Sequence, residues 1–167
     1  MARGAVAALL ACGVMACGRP AAVTQVDIAR VAIRQLFLTR ERAQALTLWR
    51  DTLSLTLRAL PDADARERLP LDSATLALPI PTHVADQHQM EAFFRTHRTG
   101  WDAWFAANPA NGGLIEVAAP RVEGNDASIV VGRACGEHCR NAWRLTLRRI
   151  RHEWVVQRIT VLPVPRG

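Results

Sequence analysis

Two groups of residues in this chain have types and spacings that could do chemistry. The first is His83, Asp86, His88, Glu91 and His97, gathered in one short stretch. If that stretch is helical, His88 and Glu91, three apart, share a face, with His83 just ahead of it. Imidazoles and carboxylates placed this way could bind a metal or supply a general base. Their spacing matches no ligand pattern such as H-E-x-x-H, however, and polar helix surfaces collect such residues without any function. The second group is Cys135-Gly136-Glu137-His138-Cys139. Gly136 allows the backbone a bend closed to other residues, which suits a short-loop disulfide between Cys135 and Cys139. Closing about five residues in this way contributes roughly 2 kcal/mol in the chain-entropy account. The competing chemistry is a metal held by the two thiolates with Glu137 and His138, but structural zinc takes four ligands in defined spacings, and no second Cys or His pair complements this one.

Other chemistries find less support. Ser54, Ser73 and Ser128 lack the glycine-flanked elbow of a serine hydrolase. No phosphate-cradling glycine loop and no dinucleotide fingerprint is present, and no cofactor is expected. Trp101 and Trp104 are most simply core residues, with the lining of a sugar-binding groove as the functional alternative.

The elements that must position these residues follow from periodicity. Leu114 to Val122, Ile129 to Arg133, Ala142 to Ile150 and Trp154 to Val164 are apolar runs of period two. They are separated by Glu123-Gly124-Asn125-Asp126, by the two-cysteine turn and by Arg151-His152-Glu153, which predicts an antiparallel meander. Upstream, Thr24 followed by Asp27 reads as a helix cap, and Val26, Ala29, Ile33, Leu36 and Phe37 recur at helical spacing to about Thr39. Ala45 to Arg50 alternates as a strand does, while Leu53 to Leu60 suits either element. Pro61 to Pro70 suits a helical turn or two, and the proline-punctuated segment to Pro81 is expected to wrap the surface. Asp86 with Gln89 caps a helix that closes at Gly100. Trp101, Trp104 and Phe105, at i, i+3 and i+4, then form a second short helix ended by Asn108-Pro109. The predicted class is α+β: an N-terminal helix and a central helical pair packed on one face of an antiparallel sheet that ends in a C-terminal β-meander.

Trp101-Asp102-Ala103-Trp104-Phe105, Asn108-Pro109, Gly113, the Ala127 to Gly132 strand, Cys135-Gly136-x-x-Cys139 and Trp154-x-Val156 together resemble a family of uncharacterised bacterial exported proteins. Those proteins pair a W-x-x-F-x-x-x-x-P helix with an A-L-V-Y-V-G-x-x-C-G-x-L-C-G hairpin and a G-x-W-x-V final strand. The similarity covers roughly the last 65 residues. Trp104 stands at the Phe position, Arg140 where glycine is usual, and Arg151-His152-Glu153 in place of a glycine turn. The resemblance implies shared architecture and an envelope location.

The N-terminus agrees with that location. Arg3 precedes an apolar stretch from Ala5 to Ala16, of signal-peptide length and too short to span a bilayer. Val14-Met15-Ala16-Cys17 resembles the lipobox of bacterial lipoproteins, which implies that Cys17 is diacylated and becomes N-terminal. Leu9-Leu10-Ala11-Cys12 fits the box's residue types, but its apolar core would be about six residues, below the usual seven or so. With Cys12 lost and Cys17 lipidated, Cys135 and Cys139 are the thiols left to pair in an oxidising envelope. A cytosolic N-terminal helix and a plain secretory signal are the competing interpretations. The expected organisation is a signal peptide over 1–16, a lipidated tether over 17–23 and one α+β domain over 24–167.

Charge is unevenly placed. From Arg133 onward eight Arg face Glu137 and Glu153, whereas Cys17 to Gly132 carries twelve Arg against thirteen acids. A basic domain points first to nucleic acid, but an exported, lipid-anchored protein would not ordinarily meet it. Anionic lipid, a cell-wall polymer or a protein partner is the expected neighbour, and a merely solvated arginine-rich face is the plainer alternative. The expected function is therefore a non-catalytic binding or structural module attached to the membrane, on the periplasmic side of the outer membrane where the host has two. The alternative is a small, hydrolase-like and metal-dependent envelope enzyme that uses His83, Asp86, His88 and Glu91.

Overall fold

The computed structural model describes residues 21–51, 56–61, 65, 67–69, 71–109 and 111–165. Cys12, Cys17 and the signal segment lie outside the described residues, as does most of the ambiguous Leu53 to Leu60 run before Thr56.

The first helix, α1 (Ala21–Ile33), begins ahead of Thr24 and overlaps the expected tether. Thr24 is therefore inside the helix, and the Asp27 carboxylate pairs with Arg30 at 2.7 Å. The helix widens into a π-helical segment over Arg34–Arg40, which keeps Leu36 and Phe37 buried. Phe37 meets Trp143 edge-on, with ring centroids 5.8 Å apart.

Seven strands form one sheet: β1 (Ala45–Trp49), β2 (Thr82–Ala85), β3 (Asn111–Val117), β4 (Arg121–Glu123), β5 (Asp126–Ala134), β6 (Arg140–Ile150) and β7 (Glu153–Leu162). Their order is β2-β1-β3-β5-β6-β7, with β4 paired to the free half of β5. The α+β class and the C-terminal meander are as expected. The sheet is mixed, however, because β1 runs parallel to both β2 and β3. Strand β2, which the sequence did not predict, follows directly on the stretch expected to wrap the surface; it pairs Thr82 to Ala85 with Leu46 to Trp49. The connection from β2 to β3 crosses over β1 and carries α3 (Gln87–Thr96) and α4 (Trp101–Ala107), as a parallel crossover requires.

That crossover places the helices on two faces. Leu46 and Leu48 join α1 in the main core, whereas Trp49 packs with Met90 and Trp104 beneath α3 and α4. Successive strand residues point to opposite faces, so the helical pair covers the face opposite α1. The Asp86–Gln89 capping box is formed as predicted. A strap, described at residues 56–61, 65 and 67–69, continues along the helical-pair face. Its Leu57, Leu60 and Ala65 pack on Ala118, Val130 and Ala142, and its end pairs with β3 through Leu69 N to Val117 O at 3.1 Å. The short helix α2 (Ser73–Leu76), capped by Asp72, precedes β2. Among the described residues no helix is long and apolar enough to cross a membrane.

Candidate functional site

Period two in the meander sorts its side chains cleanly. Ile129, Val131, Trp143, Leu145, Leu147 and Trp154 turn toward α1 and are buried. The strand registers put Arg140, Arg144, Thr146 and Arg148 of β6 on the other face, with Arg158 and Thr160 of β7, Asp126 and Ser128 of β5, and Arg121 and Glu123 of β4. Among the described residues α3 and α4 share no core cluster with this face, while the strap packs on Val130 and Ala142, with Leu162 and Val164 beside them. The result is a sheet face on which the exposed Arg121, Arg140, Arg148 and Arg158 and the half-buried Arg144 stand with Glu123 and Asp126.

Those two acids bind weakly. Arg148 Nε stands 3.8 Å from Asp126 Oδ1, and Arg121 Nε stands 3.9 Å from Glu123 Oε1, all four side chains being more than 60% exposed. Exposed pairs at such distances contribute about 0–1 kcal/mol, so a better anion can displace them. Ser128, Thr146 and Gln157 lie in the same shallow depression as Arg121 and Arg148, a concavity of about 530 Å³.

The second feature is the tip of the β5–β6 hairpin. Cys135 and Cys139 are disulfide-bonded, as predicted, and Cys135 N donates to Cys139 O at 2.8 Å. Gly136 adopts φ +151°, the conformation the turn demands. With both sulfurs bonded to each other, neither thiolate is available to a metal. The hairpin tip separates two clefts. One is shared by Glu137 with Arg98, Trp101, Asp102 and Phe105; the other is shared by His138, Arg140 and Asn141 with Leu162 and Val164.

The histidine and carboxylate group lies at the end of β2 and the start of α3. Asp86 spends one oxygen on Gln89 N at 2.9 Å and the other on Arg50 at 2.9 Å. Glu91 accepts from Gln87 Nε2 at 2.6 Å. His83 and His88 are exposed, and His97 stacks on Phe93 with centroids 4.0 Å apart. Among the described residues no three His, Cys, Asp or Glu side chains are grouped to hold a metal ion. Trp104 is buried and Trp101 half-buried, so only the second presents a ring to solvent.

One constellation was not anticipated from the sequence. Glu116, fully buried on β3, accepts hydrogen bonds from Thr56 N at 2.7 Å and Leu57 N at 3.2 Å, and from Arg68 Nη1 at 2.9 Å. Burial pushes the Arg68 guanidinium below its usual pKa, and the Glu116 charge and hydrogen bond oppose that shift. A fully buried carboxylate engaged by these donors fastens the strap. The signal for it was an acid inside the apolar run Leu114-Ile115-Glu116-Val117.

Comparison with protein-family models, with curated proteins and with solved structures finds no match to this chain.

Proposed function

We propose that this chain is a membrane-attached envelope lipoprotein whose domain binds anionic lipid head groups through the exposed arginines on the face of β4 to β7 opposite α1, without catalysis. The observation that carries the proposal is the set of exposed arginines on that face, Arg121, Arg140, Arg148 and Arg158, where Arg148 meets Asp126 only at 3.8 Å and Arg121 meets Glu123 only at 3.9 Å. Envelope location is supported by Val14-Met15-Ala16-Cys17 after an apolar segment and by the disulfide, a bond suited to an oxidising compartment. A lipid on Cys17 would hold the domain beside a bilayer, where near-surface arginines each contribute about 1 kcal/mol toward an anionic leaflet.

The test uses the full chain carrying Cys17→Ser, so that no acyl anchor contributes, with vesicles of phosphatidylglycerol or of phosphatidylcholine alone. The expected result is stronger binding to phosphatidylglycerol that weakens with salt, and a loss of about thirtyfold, two arginines' worth, in Arg148→Ala/Arg158→Ala. Equal binding to both vesicles, or a double variant that binds as well as the parent, would overturn the proposal.

A further inference from the structure

We propose that the cleft between α4 and the disulfide hairpin binds a neutral saccharide, with Trp101 as the stacking face and Asp102, Glu137 and Arg98 as the groups that take its hydroxyls. This site is separate from the arginine face and does not depend on it. The cleft measures about 340 Å³, at the small end of the roughly 300–1,000 Å³ found for small-molecule sites. Its aromatic wall is rigid: Trp101 packs on Phe94 at 5.4 Å, on Trp104 at 5.7 Å and nearly parallel to Phe105 at 6.0 Å. A ring already held in place loses little freedom when a ligand stacks on it.

The polar wall is equally prepared. Arg98, Asp102 and Glu137 are exposed, and none of their side chains has a hydrogen bond or ion pair among the described residues. The disulfide across the turn holds Gly136 and Glu137 against the cleft, so Glu137 is presented from a cross-linked rim. Carboxylates accept hydrogen bonds in pairs and a guanidinium donates them in pairs, which suits adjacent hydroxyls that both donate and accept. The charge set chooses the ligand class. A cation attracted to Trp101 would meet Arg98, and an anion attracted to Arg98 would meet Asp102 and Glu137. An uncharged molecule with one apolar C–H face and a rim of hydroxyls satisfies every group.

Trp49, Trp104, Trp143 and Trp154 are each no more than 9% exposed, so a ligand arriving from solvent meets chiefly Trp101, and a change in emission on titration reports on that ring. The full Cys17→Ser chain is titrated with maltotriose, cellotriose and the N-acetylglucosamine trimer, followed by emission and by calorimetry. At least one is expected to give a saturable signal that Trp101→Ala abolishes. Asp102→Asn and Glu137→Gln, both at exposed positions that leave the core untouched, should each weaken binding about tenfold, the size of one charge-assisted hydrogen bond. Arg148→Ala should bind as the parent does. Silence toward all three sugars, a signal unchanged in Asp102→Asn and Glu137→Gln, or preferential saturation by tetramethylammonium would overturn the proposal.

Discussion

Glu116 and Gly132 stand directly opposite each other across the β3–β5 ladder. The space that Gly132 leaves is filled by Leu57: a Cβ built at Gly132 would lie 2.8 Å from Leu57 Cδ2 and 3.2 Å from Thr56 Cβ. The glycine lets the strap descend, and the glutamate opposite receives the amides of Thr56 and Leu57 as it arrives.

Glu116→Gln should therefore be strongly destabilising. It leaves Arg68 buried without a counter-charge, and breaking one side of a buried pair costs about 3–5 kcal/mol. Urea unfolding measures this directly; a loss under about 1 kcal/mol would show that the carboxylate's charge contributes nothing.

Gly132→Ala should cost about 1–3 kcal/mol by overpacking against Leu57. Adding Leu57→Ala, which alone should cost about 2–5 kcal/mol, is expected to give a double variant less destabilised than the two losses combined. Strict additivity in that cycle would separate Gly132 from Leu57.

Asp72 supplies the pH dependence. Its side chain accepts from Thr75 N at 2.6 Å, and hydrogen bonding to the Thr75 side chain, with this backbone bond beside it, holds its carboxyl below the ordinary carboxylate pKa. A depressed folded-state pKa means that the contribution is complete above the unfolded value of about 3.9 and is lost as pH falls through the lower folded value. The thermal midpoint of Asp72→Ala should lie below that of the parent at pH 6 and approach it toward pH 2. A gap that stays constant across that range would assign the effect to helix propensity instead of the carboxylate.

Reducing Cys135–Cys139 should lower stability by about 2 kcal/mol in the chain-entropy account while leaving the sheet formed. Alkylation followed by mass spectrometry is expected to find both cysteines blocked until a reductant is added. Free thiols at both positions in envelope material would contradict the bond.

Much of the meander and of α3 was legible because their signals are local. Asp86 and Gln89 are three residues apart, and the strands from Asp126 onward are joined by short turns. Strand β2 escaped notice because four residues between Pro81 and Asp86 pair in parallel with a distant strand and leave no hairpin turn to mark them. The two-faced placement of the helices was hidden for a related reason. Leu48 and Trp49 are both apolar and both buried, and nothing in their neighbourhood states that they enter different cores. The Arg68–Glu116 pair spans 48 residues and starts from a proline-flanked, irregular stretch, where no periodicity links the partners. For the two clefts, the sequence marked Trp101 and the cysteines separately; their meeting at one rim depends on the crossover.

A lipidated Cys17 would make attachment effectively permanent, because each buried methylene contributes about 0.8 kcal/mol. Cys17→Ser should move the protein from the membrane fraction to the soluble fraction. A variant that stays membrane-bound, with Cys12→Ser released instead, would transfer the anchor to Cys12.

The packing of α1 on both β5 and β7 bears on how the domain is born. The chain leaves the ribosome N-terminus first, so α1 emerges before the strands it covers, and its cover is complete only when the last of them has formed. The meander, built from neighbours in sequence, can close its hairpins early, since contacts between near neighbours form fastest. Until β5, β6 and β7 are all in place, Ile28, Ile33 and Phe37, all fully buried in the finished domain, lack part of their cover. During that interval the nascent chain needs protection from aggregation, and completion of the final strand ends the need.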